Sequence, residues 1–184
     1  MKFFKRSERG FTLVELLVAI PIIGLLGLAM GAVLIQLLHS DRISQRMVAV
    51  RQVQAAGDRV SVDGWQAQFV SGVGADMSSD NWALIMDWSG GWLEGDGFHS
   101  RRVHVKYQLE ESTNGLHSLR RNQWSTKDET SPPESSIIVG QYLDVDQMYC
   151  QWDDSGSTFS FKVVSVVGTK TEERTYDITP RALV

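Results

Sequence analysis

The chain has 184 residues and a formal net charge of −4. That length suits one domain of ordinary size plus an anchor, and the acidic balance disfavours nonspecific nucleic-acid binding through a basic face. The single cysteine, Cys150, excludes an internal disulfide; a free Cys behaves as a small hydrophobe, so burial is expected, with an intermolecular bridge as the other reading.

Residues 1–10 form a short basic tail with Lys2, Lys5, Arg6 and Arg9 against one acid, Glu8. An apolar run follows from Phe11 to Leu38, in which only Thr12, Glu15 and Gln36 are plainly polar. As a helix this run is about 42 Å long, against about 30 Å for a hydrocarbon core, so it is long enough to span with some excess. A secretory signal peptide has a shorter apolar core and a small-residue cut site behind it. No Ala-x-Ala site follows Leu38. A cut is therefore expected before the run, leaving the helix in the mature protein. The basic flank orients the amino end to the cytoplasm and residues 39–184 outside. Glu15 costs roughly 2.5–3.5 kcal/mol at the bilayer centre and less near its edge, so it needs a partner.

The stretch Arg9-Gly10-Phe11-Thr12-Leu13-Val14-Glu15-Leu16 closely resembles the prepilin signal of the type IV pilin and type II secretion pseudopilin superfamily. The resemblance implies that a membrane-embedded prepilin peptidase cuts after Gly10 and methylates the new terminal amine on Phe11. It implies that Glu15 neutralises the amine of a neighbouring subunit during filament assembly. Loss of residues 1–10 removes four bases and one acid and leaves a net charge of −7. The implied location is the cytoplasmic membrane, crossed once, with membrane lipid, the peptidase and other filament subunits as partners.

Pro21 has no N–H for the Leu17 carbonyl, and its ring crowds that turn, so a kink is expected near residues 17–21; membrane helices also simply tolerate proline. Gly27 and Gly31 make a GxxxG pair that permits close backbone approach, although glycine is common in such segments. Beyond Leu38 the apolar positions Ile43, Met47, Val50, Val53, Ala56, Val60 and Ala67 recur at three- and four-residue steps, with one place skipped near residue 63. One long helix from about 11 to about 70 is predicted, its second half packed on a sheet. The fold class is α+β, with residues 1–10 a leader, 11–38 a transmembrane helix, 39–70 its amphipathic continuation and 71–184 a largely antiparallel sheet domain of pilin-like kind.

Residues 71–100 are rich in glycine, serine and aspartate, with a short strand expected at Trp82–Trp88 and turns at Gly90-Gly91 and Gly95-Asp96-Gly97. In pilins the stretch between helix and sheet is the variable αβ-loop. Val103, Val105, Tyr107 and Leu109 then alternate with His104, Lys106 and Gln108, the pattern of a half-buried strand. Ser112-Thr113-Asn114-Gly115 is a hairpin turn, and Leu116–Gln123 the returning strand. Ser125–Ser136 reads as a loop around Pro132-Pro133. Further strands are expected at Ile137–Tyr149, interrupted, at Thr158–Val167 and at Arg174–Thr179, the last two joined by a turn at Gly168-Thr169-Lys170.

The segments Arg102-Val103, Val105, Tyr107-Gln108-Leu109, Gly115-Leu116, Leu119-Arg120-Arg121 and Leu143 are similar, more weakly, to the J-type minor pseudopilins. That similarity implies a place beside I- and K-type subunits.

No catalytic constellation emerges, and no cofactor is expected. His39, His99, His104 and His117 lack metal-ligand spacing with one another or with Cys150; His104 and His117 stand where a hairpin could bring them opposite, as surface residues. Asp144, Asp146, Asp153 and Asp154 are the best acidic cluster for calcium, but a solvated strand face explains Asp144 and Asp146, and a turn explains Asp153-Asp154-Ser155-Gly156, so no metal is assigned. Six tryptophans are many for this length; core packing or cover for the sheet is preferred to a subunit interface. The leading function is a structural minor pilin or pseudopilin, not an enzyme. The alternatives are a competence-type DNA-uptake pilin, for which Arg101, Arg102, Arg120 and Arg121 are the dense basic residues, and a membrane-anchored sensor or enzyme. No nucleic acid is expected as a partner.

Overall fold

A computed structural model describes residues 12–79, 82–94, 97–112, 115–125 and 129–181. It divides into two compact units, one up to Ile43 and one from Ser44 onward. A single helix, α1, is assigned over Leu13–Gln66. Its apolar amino-terminal part is long and apolar enough to cross a membrane, and residues such as Leu13, Leu25 and Leu28 are exposed in the lone chain. The helix is unbroken through Pro21, since one missing N–H removes one bond among many.

In the second unit α1 buries Ala49, Val53, Ala56, Gly57, Val60, Ser61, Asp63 and Gly64. Three- and four-residue steps put these positions on one face. Burial starts later than the sequence pattern suggested. Ile43 and Met47, the first two positions of the stripe, are half-exposed, and the apolar cover begins at Ala49. The helix also ends earlier than about residue 70, because Phe69–Ser71 leaves it to form a short strand, β1.

The sheet follows with β2 (Ala83–Glu94), β3 (Gly97–Glu111), β4 (His117–Trp124), β5 (Ser135–Leu143), β6 (Tyr149–Trp152), β7 (Phe159–Val167) and β8 (Lys170–Ile178). Every pairing is antiparallel, in the order β1-β2-β3-β4-β5-β7-β6, with β8 on β7. The first five strands form one meander and β6–β8 another group. The two groups meet where Leu143 pairs with Ser165, helped by the Asp144 amide donating to the Val164 carbonyl at 3.1 Å. β5 approaches that junction through a bulge against β4, and Tyr142 there has φ 58°.

One face of the sheet meets α1. Leu84, Met86, Val105, Tyr107, Leu119, Phe159, Phe161, Val163 and Ile178 have no exposed surface and form one core with Val53, Ala56 and Val60. Each such large apolar side chain contributes roughly 1.5–3 kcal/mol on burial.

Several sequence expectations change here. Gly90 and Gly91 are strand residues paired with Arg101 and Ser100, so β2 and β3 form one long hairpin across most of the stretch read as loop. Its tip, residues 95 and 96, lies outside the described residues, as does Asn114 of the next turn. Gly115 and Gly168 adopt the positive φ that their turns require. Asp144 and Asp146 do not alternate on a strand. β5 ends at Leu143 and a 3-10 turn, Val145–Gln147, makes the interruption. Of the tryptophans, Trp82 and Trp124 are buried and Trp88 packs against the core, while Trp65 is 58% and Trp152 38% exposed; the Trp92 side chain lies outside the described residues.

Candidate functional site

At the amino-terminal end, Thr12 caps α1. Its amide and its Oγ1 both donate to Glu15 Oε2 at 2.9 Å, and the Glu15 amide donates to Thr12 Oγ1 at 3.3 Å. This is the reciprocal Thr-x-x-Glu capping box, which satisfies N–H groups that the first helical turn leaves open. The Thr12-Leu13-Val14-Glu15 spacing is the sequence signal for it, and a reading that sought a partner for Glu15 only on another subunit misses it. Gly10 and Phe11 lie outside the described residues.

A second polar group sits inside the domain. Asp63, at the place skipped in the apolar stripe, is 2% exposed. Arg121 on β4 donates to it through Nε at 2.5 Å and Nη2 at 3.3 Å. Tyr107 on β3 donates its hydroxyl to Asp63 Oδ2 at 2.5 Å, and the same hydroxyl lies 3.2 Å from the Arg59 carbonyl. Arg59 itself approaches Asp63 Oδ1 at 3.6 Å from one turn away on α1. Burial, reinforced by the neighbouring Asp63 charge, pushes the Tyr107 phenol far above its ordinary range, so it stays a donor. A paired buried charge is far less costly than a lone one. The group thus fixes α1 against β3 and β4 at one register, in a core where apolar contacts alone are non-directional.

Arg121 is therefore no surface base. Arg120 is paired with Glu110 at 2.5 Å, and Arg101 with Glu134. Of the four dense arginines, three are neutralised by carboxylates. His104 and His117 do not oppose each other: His104 pairs in register with Trp124, and His117 with Glu111. His104 is also buried, contrary to the surface reading. Cys150 is buried at 1% exposure, and burial pushes its thiol up to about 12.

Of the acidic residues considered for calcium, Asp144 and Asp153 are engaged within the fold. Asp153 Oδ1 accepts from the amides of Ser157 at 3.0 Å and Thr158 at 3.1 Å, and its Oδ2 accepts from Ser155 Oγ at 2.7 Å. Asp144 accepts from Gln147 at 2.6 Å. Among the described residues no group of three or more His, Cys, Asp or Glu is placed to hold a metal ion.

A capped, membrane-capable amino-terminal helix followed by an antiparallel sheet domain is a pilin-like α+β architecture. Residues 5–31 match the family model described as the prokaryotic N-terminal methylation motif. The chain thus carries the prepilin-type cleavage and methylation signal of type IV pilins and pseudopilins. Comparison with curated proteins and with solved structures found no match.

Proposed function

We propose that this chain is a minor pilin or pseudopilin, cut by prepilin peptidase between Gly10 and Phe11, methylated on Phe11, and built into a type IV pilus-like or type II secretion filament. The observation that carries the reading is the methylation motif at residues 5–31. Support comes from its position, across the basic tail and the start of a helix fit to span a bilayer. The carboxy-terminal domain then lies outside the cytoplasmic membrane, in line with the basic leader. The weaker J-type similarity favours a secretion filament with I- and K-type neighbours. The competence alternative draws less support, since Arg101, Arg120 and Arg121 are paired with acids.

Glu15 is assigned to assembly. In the lone chain its carboxylate is held by Thr12. In a packed bundle the amine of an adjacent Phe11 replaces those neutral donors with a charge, and low dielectric strengthens that attraction. The experiment is intact-mass analysis of membrane-extracted protein from cells with and without prepilin peptidase. Loss of residues 1–10 and gain of one methyl group, both dependent on the peptidase, are expected; retention of the leader in the presence of active peptidase sinks the reading. Glu15→Ala is expected to insert and to be cut normally, yet to lose co-purification with filament subunits.

A further inference from the structure

The face of the sheet turned away from α1 carries a second polar cluster, centred on His104 of β3. Its side chain is 6% exposed, and both ring nitrogens face carboxylates. Nδ1 lies 2.6 Å from Asp87 Oδ1 on β2. Nε2 lies 3.1 Å from Glu129 Oε1, on the connection between β4 and β5. The Trp124 ring of β4 packs on the imidazole, with centroids 5.6 Å apart. Lys106, two residues along β3, donates to Glu129 Oε2 at 2.6 Å. Among the described residues, the groups facing the imidazole are thus Asp87 from β2, Glu129 from the connection, with Lys106 behind it, and the uncharged Trp124.

The segment from Glu129 to Glu134 is tied to this face at three further points. Trp124 Nε1 donates to the Ser131 carbonyl at 2.9 Å, the Glu134 amide donates to the Gln123 carbonyl at 2.9 Å, and the Glu134 carboxylate accepts from Arg101 and Ser125. Glu129 is held through His104 and Lys106. The segment lies as a strap over Trp124, which is 6% exposed beneath it.

A neutral imidazole has one donor and one acceptor nitrogen, and only the imidazolium donates from both. Between two ionised carboxylates, the neutral ring must turn one lone pair toward an oxygen lone pair. We propose that His104, Asp87 and Glu129 form a proton-dependent latch, which holds Glu129–Glu134 on the sheet while the imidazole is charged and loosens the strap when that proton leaves.

Glu129 stays ionised beside the ring. The Lys106 hydrogen bond, outweighing burial and helped by His104, holds the Glu129 carboxyl below the usual glutamate range. The contribution of Glu129 is present above the ordinary glutamate value and is lost as pH falls through its lowered value in the fold. The latch is therefore closed while the imidazole donates from both nitrogens and open once one of those protons is gone.

The test uses the full chain in detergent micelles, followed by imidazole nitrogen NMR and by amide hydrogen exchange between about pH 5 and about pH 8, corrected for intrinsic exchange. Both His104 nitrogens are expected to be protonated at the acid end. Protection of the Glu134 amide, which donates to the Gln123 carbonyl, is expected to fall by about tenfold as the ring loses its second proton, the size of one charge-assisted hydrogen bond. In Glu129→Gln, a change at a residue exposed at the surface, the side-chain amide can donate to a neutral ring. Protection there is expected to vary less than about threefold with pH. A neutral His104 across the whole range, strap protection that ignores the His104 titration, or the same pH profile in the parent and in Glu129→Gln would overturn the latch.

Discussion

Asp63 and Arg121 are costly residues to change one at a time. Each lies in the core at 2% exposure, and each answers the other's charge. Arg121→Met leaves Asp63 with Tyr107 and the distant Arg59, while Asp63→Asn leaves a guanidinium buried beside a neutral amide. Either is expected to destabilise the domain by about 3–5 kcal/mol, read as a fall in the urea midpoint by tryptophan fluorescence. The double change Asp63→Leu with Arg121→Met is expected to recover most of that loss, because well-packed apolar replacements of a buried pair are often neutral. Tyr107 keeps the Arg59 carbonyl as an acceptor in that variant. Equal losses in single and double variants would show that the site matters only for volume. The sequence hinted at this site through a gap in an apolar stripe. It could not identify the partner, which lies 58 residues away, because Arg121, next to Arg120 on a strand, looks like any solvated base. Cys150 was the easier case, as a single thiol among apolar neighbours; it is expected to resist alkylation in the folded chain at pH near 8 and to react on unfolding, since burial raises its thiol to about 12.

At the level of elements, α1 uses its glycines in two ways. Gly24, Gly27 and Gly31 have nothing within 4 Å of where a Cβ would stand, so the GxxxG pair makes no close approach in the lone chain. The close approaches come later. A Cβ on Gly64 would stand 2.5 Å from Ile178 Cγ2, and one on Gly57 would enter the Tyr176 ring. Gly→Ala in a helix interior ordinarily stabilises by about 1 kcal/mol. Here Gly64→Ala is expected to destabilise by about 1–3 kcal/mol, because Ile178 is buried and branched at the contact. Gly57→Ala is expected to cost less, since Tyr176 can swing outward. Thermal unfolding of the two variants beside Gly27→Ala checks the order, and a Gly64→Ala variant as stable as the parent would show that β8 yields freely. Periodicity revealed α1 and most of the strands because their apolar spacing repeats over many residues. β1 escaped it, as three residues hold no period. β2 was cut short because Gly90-Gly91 reads as a turn until twelve paired residues on β3 hold it extended.

The whole molecule depends on where α1 is divided. Its residues from Ser44 onward belong to the same compact unit as the sheet. They supply Ala49, Val53, Ala56 and Val60 to the core and Asp63 to Arg121. A fragment beginning at Asp41 therefore keeps every one of these groups and sheds the apolar segment. It is expected to be soluble without detergent, to show mixed helix and strand by circular dichroism, and to unfold cooperatively in urea. A fragment beginning at Gln68 is the contrasting case. It would expose Leu84, Met86, Val105, Phe159 and Phe161 on one face of the sheet and leave Arg121 without its carboxylate. The loss of four apolar side chains and one buried pair is comparable with the roughly 5–15 kcal/mol by which domains are stable. That fragment is expected to aggregate or to show no cooperative transition. A cooperative Gln68 fragment would mean that the strands close a core of their own; an insoluble Asp41 fragment would mean that the apolar segment does more than anchor.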